Sequence, residues 1–314
     1  RAGEVTSADM VVGIVLIVLV FEAARRAMGI ALPIICACFL AYALFGQYLP
    51  GELAHRGYGL DQVVGQLGFG TEGIYGTPIY VSSSYIFLFI LFGAFLEHAG
   101  MIQLFTDVAL GLFGHRRGGP AKVAVISSGL MGTINGSGVA NVVTTGQFTI
   151  PLMKRFGYSP AFAGGVEATA SMGGQIMPPV MGAVAFIMAE TINVPYVDIV
   201  KAALIPAILY FGTAFWMVHL EAGRKGLLGL PKDECPNPWA AVKDRWYLLL
   251  PLAGLVGLLF SGYTPLFSGT VGLGLTVILI FGAAVISGVK GNALRVLAWV
   301  LLGLATAGFY HFGV

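Results

Sequence analysis

Residues 132–151 read GTINGSGVANVVTTGQFTIP. After its first glycine this stretch carries three Gly, two Asn, one Ser and four Thr, between flanks that are almost wholly apolar. Over the 314 residues, 57% are hydrophobic and 10% charged, against about 25% charged in a soluble domain. One soluble core of this length cannot hide so much apolar surface, so lipid forms part of the solvent. Non-helical backbone survives in hydrocarbon only where protein or a wet cavity shields it. A polar, glycine-rich stretch in such a chain therefore marks a shielded place.

Working outward, apolar segments run at roughly 8–22, 27–49, 80–98, 120–135, 139–153, 160–176, 180–192, 199–220, 246–261, 265–288 and 292–311. A helix needs about 20 apolar residues to cross a hydrocarbon core of about 30 Å. Several segments reach that length; the four between residues 120 and 192 do not. Basic residues cluster at Arg25 and Arg26, at His115, Arg116, Arg117 and Lys122, at Lys154 and Arg155, along 224–245, and at Lys290 and Arg295. Keeping all of them cytoplasmic fixes a path. The first segment runs inward, the second outward to a loop with Glu52, Asp61 and Glu72, and the third inward again. MIQLFTDVALGLFG (101–114) is too short to span on this path and reads as an amphipathic helix at the inner interface; the alternative is an ordinary short core helix.

Arg117 and Lys154 then lie on one side, with 36 residues between them. Arms of about 15 residues reach about 22 Å, so the tip TINGSGVAN (133–141) stops inside the membrane. The spacing predicts a re-entrant hairpin; the alternative is two full spans with a polar loop outside. AFAGGVEATASMGGQIMPPVMGAVAFIMAE (161–190) reads as a span broken at Gly173, Gly174, Pro178 and Pro179; the alternative is a simple proline kink. A break frees carbonyls and exposes helix-dipole ends that hold ions or anionic groups. The chain exits near Asn193, Tyr196 and Asp198, returns through 199–220 to the charged loop 221–245, and continues in three apolar segments.

The run GHRRGGPAKVAVISSGLMGTINGSGVANVVTTGQFTIPLMKRFGYSPAFAGGVEATASMGGQIMPPVMGAVAFIMAE (114–190) resembles the large membrane subunit of the tripartite ATP-independent periplasmic (TRAP) transporters. ARRAMGIALPI (24–34), AHRGYG (54–59) and LFILFGAFLEHAG (88–100) are similar to the TAXI branch, whose small and large membrane parts are fused. The resemblance implies an all-α integral membrane protein, a polytopic helical bundle of elevator type. It implies import of an organic anion, a carboxylate in this family, driven by sodium rather than ATP. The expected partner is a periplasmic TAXI-type substrate-binding protein, and the expected location the bacterial or archaeal cytoplasmic membrane. No cofactor is implied beyond the coupling Na+.

Carried over by motif, the sodium site joins the tip (Thr133, Asn135, Gly136, Ser137, Gly138 and Asn141) to the break (Gly173, Gly174, Gln175 and Pro178). Two positions depart from the family pattern: Asn135 stands where a Ser is common, and Met172 where a Thr is common. An amide oxygen still serves a hard cation; a thioether does not. Residues 1–114 are expected to form scaffold helices and the interfacial helix, and 115–192 the first half of a transport domain. Residues 193–245 add a scaffold span and cytoplasmic loop, and 246–314 lead into a second inverted repeat. No second glycine-rich hairpin follows, and both ends read as cuts through a longer protein.

Other residues carry weaker signals. Glu167 is the one carboxylate expected near mid-span, a candidate proton or ion relay or else a hydrogen-bonded packing residue. Thr144 and Thr145 are candidates for substrate contact or for bonding to their own helix, and Thr149 for the latter. Cys36, Cys38 and Cys235 suggest neither disulfide nor metal. No basic run points to nucleic acid, and no clustered catalytic set points to an enzyme. The competing classes are an ion channel with a pore loop and an inactive fragment of a transporter.

Overall fold

The computed structural model describes residues 5–288 and, beyond them, the helical positions 294, 297, 300, 301, 303 and 304. The described residues form helices and connecting turns, with no strand among them. Four helices among them are long and apolar enough to cross a membrane: Ser7–Met28, Ala31–Tyr48, Thr77–Gly114 and Tyr196–Lys225. The chain divides into two compact units, Arg1–Val81 and Ser82–Val314.

The first unit holds α1 (Ser7–Met28), α2 (Ala31–Phe45), α3 (Leu60–Gly68) and α4 (Thr77–Val81). α1 begins with a reciprocal cap. The Thr6 hydroxyl accepts from the Asp9 amide, and the Asp9 carboxylate accepts from the Thr6 amide at 2.9 Å. In its last turn Arg25 and Arg26 both donate to Glu22, where cations suit the helix dipole. Gly13 of α1 and Gly68 of α3 bring the two backbones together; a Cβ on Gly68 would stand 3.3 Å from the Gly13 Cα. The rest of α1 turns valines and leucines outward (Val11, Val12, Val18 and Leu19 are exposed), as a lipid-facing helix does.

The second unit holds α5 (Phe87–Leu96), α6 (Ile102–Ala109), α7 (Gly119–Asn135), α8 (Gly138–Arg155), α9 (Pro160–Met172), α10 (Ala183–Thr191), α11 (Tyr196–Lys225), α12 (Pro238–Arg245), α13 (Leu249–Phe260) and α14 (Pro265–Gly288). Wider, π-type turns at Glu97–Met101 and Leu110–Gly114 flank α6, and Gly100 bends the chain there with φ +105°. α6 lies against α7 and α12, with Asp107 3.6 Å from Arg245.

α7 and α8 form a helical hairpin joined by Gly136 and Ser137 alone. Their 17 and 18 residues correspond to about 25 and 27 Å. Thirteen of the seventeen α7 residues are buried, whereas α1 and α2 bury almost nothing. That contrast is the shielding that a polar hairpin in lipid requires. α9 starts on a Ser159 cap with Pro160 in its first turn and gives way to a 3₁₀ turn at Gly173–Ile176. Residues 177–182 are not helical before α10 begins, so the chain breaks here rather than kinks. Small residues let α7, α8, α9 and α11 close on one core: Ala121, Ala124, Ala163, Ala170 and Ala222 are each fully buried in it. The expected segment 265–288 is α14; the one at 292–311 falls mostly outside the described residues.

Candidate functional site at the hairpin tip and the helix break

The tip and the break meet backbone to backbone. A Cβ on Gly132 would lie 2.4 Å from the Gly174 Cα, and one on Gly136 would lie 1.8 Å from the Met181 carbonyl oxygen. Gly136 also turns the chain with φ +57°, ending α7 where only glycine does so freely. Ser137 then caps α8, its hydroxyl accepting from the Ala140 amide at 3.3 Å. Across from it the Gln175 carbonyl accepts from the Gly182 amide at 2.7 Å, and the Tyr196 hydroxyl reaches the Pro179 and Val180 carbonyls at 3.0 and 2.7 Å. The break is thus held open by specific bonds.

A cavity of about 290 Å³ opens beside this junction. Its walls include Asn135, Ser137, Gln175, Gly182, Phe89 and Phe186. Among the described residues no Lys or Arg lines it. The N-terminal ends of α8 and α10 do, at Ser137 and at Gly182–Ala183, and helix N-termini carry partial positive charge.

Several expected site residues are already engaged. Asn135 donates to the Glu97 carboxylate at 3.0 Å, and its amide oxygen accepts from the Ser137 amide at 3.3 Å. The Thr133 hydroxyl donates to the Leu130 carbonyl at 2.6 Å. Gly138 backs onto Met172, whose sulfur lies 3.9 Å from the Gln175 amide. Gly173 packs against Tyr210 and Phe211 instead of facing the cavity. Pro178 shapes the non-helical stretch. Glu97, absent from the sequence reading, proves to be a carboxylate at the tip. Its only sequence signal is a charge at the end of an apolar segment, and sequence gives no depth.

Asn141 leads away from the tip into a second, fully enclosed cluster. Its amide donates to the Ser128 carbonyl at 2.8 Å, and its oxygen accepts from Thr145 at 3.2 Å. At the centre sits Glu167, with no exposed surface. Its Oε1 accepts from Ser128 at 3.0 Å, from Ser171 at 2.9 Å and from Thr145; Thr149 serves Oε2. No Lys, Arg or His pairs with it among the described residues. Thr145 is 1% exposed, so its hydroxyl belongs to this cluster, while Thr144 is half-buried and bonds to the Ala140 carbonyl at 3.0 Å. A stripe of Asn141, Thr145 and Thr149 at four-residue spacing, and Ser171 four after Glu167, is the pattern that could have revealed the cluster.

The sequence profile of the family described as "Tripartite ATP-independent periplasmic transporter, DctM component" matches residues 15–309. The chain belongs to this family. DctM proteins are transporter permeases rather than enzymes, and this one is an integral inner-membrane protein. It is 31% identical over 179 residues to the C4-dicarboxylate TRAP transporter large permease protein DctM of Pseudomonas aeruginosa, covering 56% of this chain and 41% of that one. It is 27% identical over 178 residues to the sialic acid TRAP transporter large permease protein SiaM of Vibrio cholerae, covering 56% and 42%. Against the 2,3-diketo-L-gulonate TRAP transporter large permease protein YiaN of Escherichia coli the figures are 25% over 184 residues, 58% and 43%. The chain thus aligns with less than half the length of these relatives.

Proposed function

We propose that this DctM-family chain is part of a secondary transporter that brings an organic anion across the inner membrane with sodium, delivered by a TAXI-type periplasmic binding protein. The observation that carries this reading is the closed junction between the hairpin tip and the broken helix. There α7 ends and α9 gives way to the 3₁₀ turn at Gly173–Ile176 and a non-helical stretch, and a helix break of this kind supplies carbonyl oxygens that suit a cation. The N-terminal ends of α8 and α10 face the neighbouring cavity, which suits an anion. Bound sodium would draw Asn135, Ser137 and Gln175 into place and so complete the anion's surface. Of the two candidate threonines, Thr145 is enclosed with Glu167, while Thr144 is half-buried, bonds to its own helix and does not line the cavity, so neither is assigned to the substrate. The ligands named for the three relatives are all carboxylic acids, which supports a carboxylate here. An elevator-like movement of α7–α10 together is part of the same reading.

The test is uptake into proteoliposomes holding the permease with its binding protein. A C4-dicarboxylate and a sialic acid serve as probes, with and without an inward sodium gradient. Saturable, gradient-dependent uptake is expected, with loss of sodium dependence in Gly136→Ala. Flux that does not saturate would favour a pore, and flux that ignores the sodium gradient would remove the coupling; either overturns the proposal.

A further inference from the structure

We infer that Glu167 is a proton-binding site, which takes up and releases one proton inside the body formed by hairpin and break and passes its charge state to the tip through Asn141. The role in transport rests on the function proposed above; the proton site itself does not.

The geometry supplies a complete hydrogen-bond pattern for each protonation state. With Glu167 ionised, Ser128, Thr145 and Ser171 donate to Oε1 and Thr149 to Oε2. On protonation a proton from water joins Oε2, and the charge there falls from minus one to zero. The acid O–H then donates to the Thr149 oxygen. Thr149 turns its own proton to the Thr145 carbonyl, already 3.1 Å away. Thr145 has the same freedom, with the Asn141 carbonyl at 2.7 Å. Neither state leaves a buried polar atom without a partner, so the usual penalty for an unmade bond does not block the change. Thr145 and Thr149 thus each hold a second acceptor, which a purely structural carboxylate does not need.

A metal cation fits less well. The oxygens of Glu167, Thr145 and Ser128 already stand within about a hydrogen bond of one another, and the Gly146 position closes the site, since a Cβ there would lie 3.1 Å from the Glu167 Cγ. A proton needs no central space.

The charged neighbours on the packed helices leave Glu167 to itself. On α7 the titratable group is Lys122, whose Nζ lies 2.9 Å from His219 Nδ1 of α11. On α8 they are Lys154 and Arg155, in its last turn. On α11, Tyr210 donates to the Thr169 carbonyl at 2.7 Å, Lys201 pairs with Asp198, and Glu221 pairs with Arg224 and Lys225. Tyr196 is bound to the break. A change of charge at Glu167 is therefore felt first by its four hydroxyl partners and, through Thr145, by Asn141; Asn141 touches the junction, since a Cβ on Gly174 would lie 3.3 Å from its amide nitrogen.

Infrared difference spectroscopy of the purified permease in lipid, titrated with pH, tests this without any substrate. The expected result is a carboxylic-acid C=O band that grows as pH falls along a one-proton curve. Glu167→Gln, which resembles the protonated form, should abolish it. Thr149→Val should shift its frequency, because the acid O–H loses its acceptor. In the uptake assay Glu167→Gln should lose the pH dependence of the wild-type rate. If no pH-dependent band is lost in Glu167→Gln, the inference falls, while sodium-driven uptake would leave the proposed function standing. A titrating band in a protein that takes up no substrate would uphold the proton site and sink the transport reading.

Discussion

At the scale of single residues, the break depends on one tyrosine. Tyr196 is 4% exposed and spends its hydroxyl on two carbonyls that no helix serves. Removing it leaves both without that donor, and a buried polar group without a partner costs about 1–3 kcal/mol. Tyr196→Phe is therefore expected to lower thermal stability in detergent by several degrees and to leave helix content unchanged in circular dichroism. An unchanged melting temperature would mean that water takes over the bonds. The sequence placed Tyr196 merely at an outer turn. Its role was not legible because it joins carbonyls 16 and 17 residues earlier, a contact that only the folded path creates. Glu167 was legible, as a charge in an apolar run. Its partners were not, because they depend on how α7, α8 and α9 are rotated against one another.

At the scale of elements, glycines decide where helices touch. Gly132→Ala puts a methyl group against the Gly174 backbone, which has no flexible end to swing aside. The cost of such overpacking is about 1–3 kcal/mol. Gly165→Ala, on the open side of α9 with nothing within 4 Å, should instead stabilise by about 0.5–1 kcal/mol through helix propensity. Melting curves of the two variants in the same detergent should shift in opposite directions; a shift in the same direction would refute the close approach. The hairpin and the break were readable beforehand, since Gly136, Ser137 and the Gly-Gly…Pro-Pro pattern dictate local backbone directly. Which glycine faces which was not, for the pairing of Gly132 with Gly174 spans 42 residues. The bend at Gly100 was likewise missed: a lone glycine within an apolar run gives no sign that its φ will be positive.

At the scale of the molecule, composition and charge spacing were enough to read a helical membrane protein, because lipid constrains backbone more severely than water. The enclosure of α7 has one more consequence. Gly132 rests on the Gly174 backbone, and Gly136 on the Met181 carbonyl, so the hairpin has no slack in which to glide along the break. In the movement proposed above, the two travel as a single load, for parting them would break both contacts.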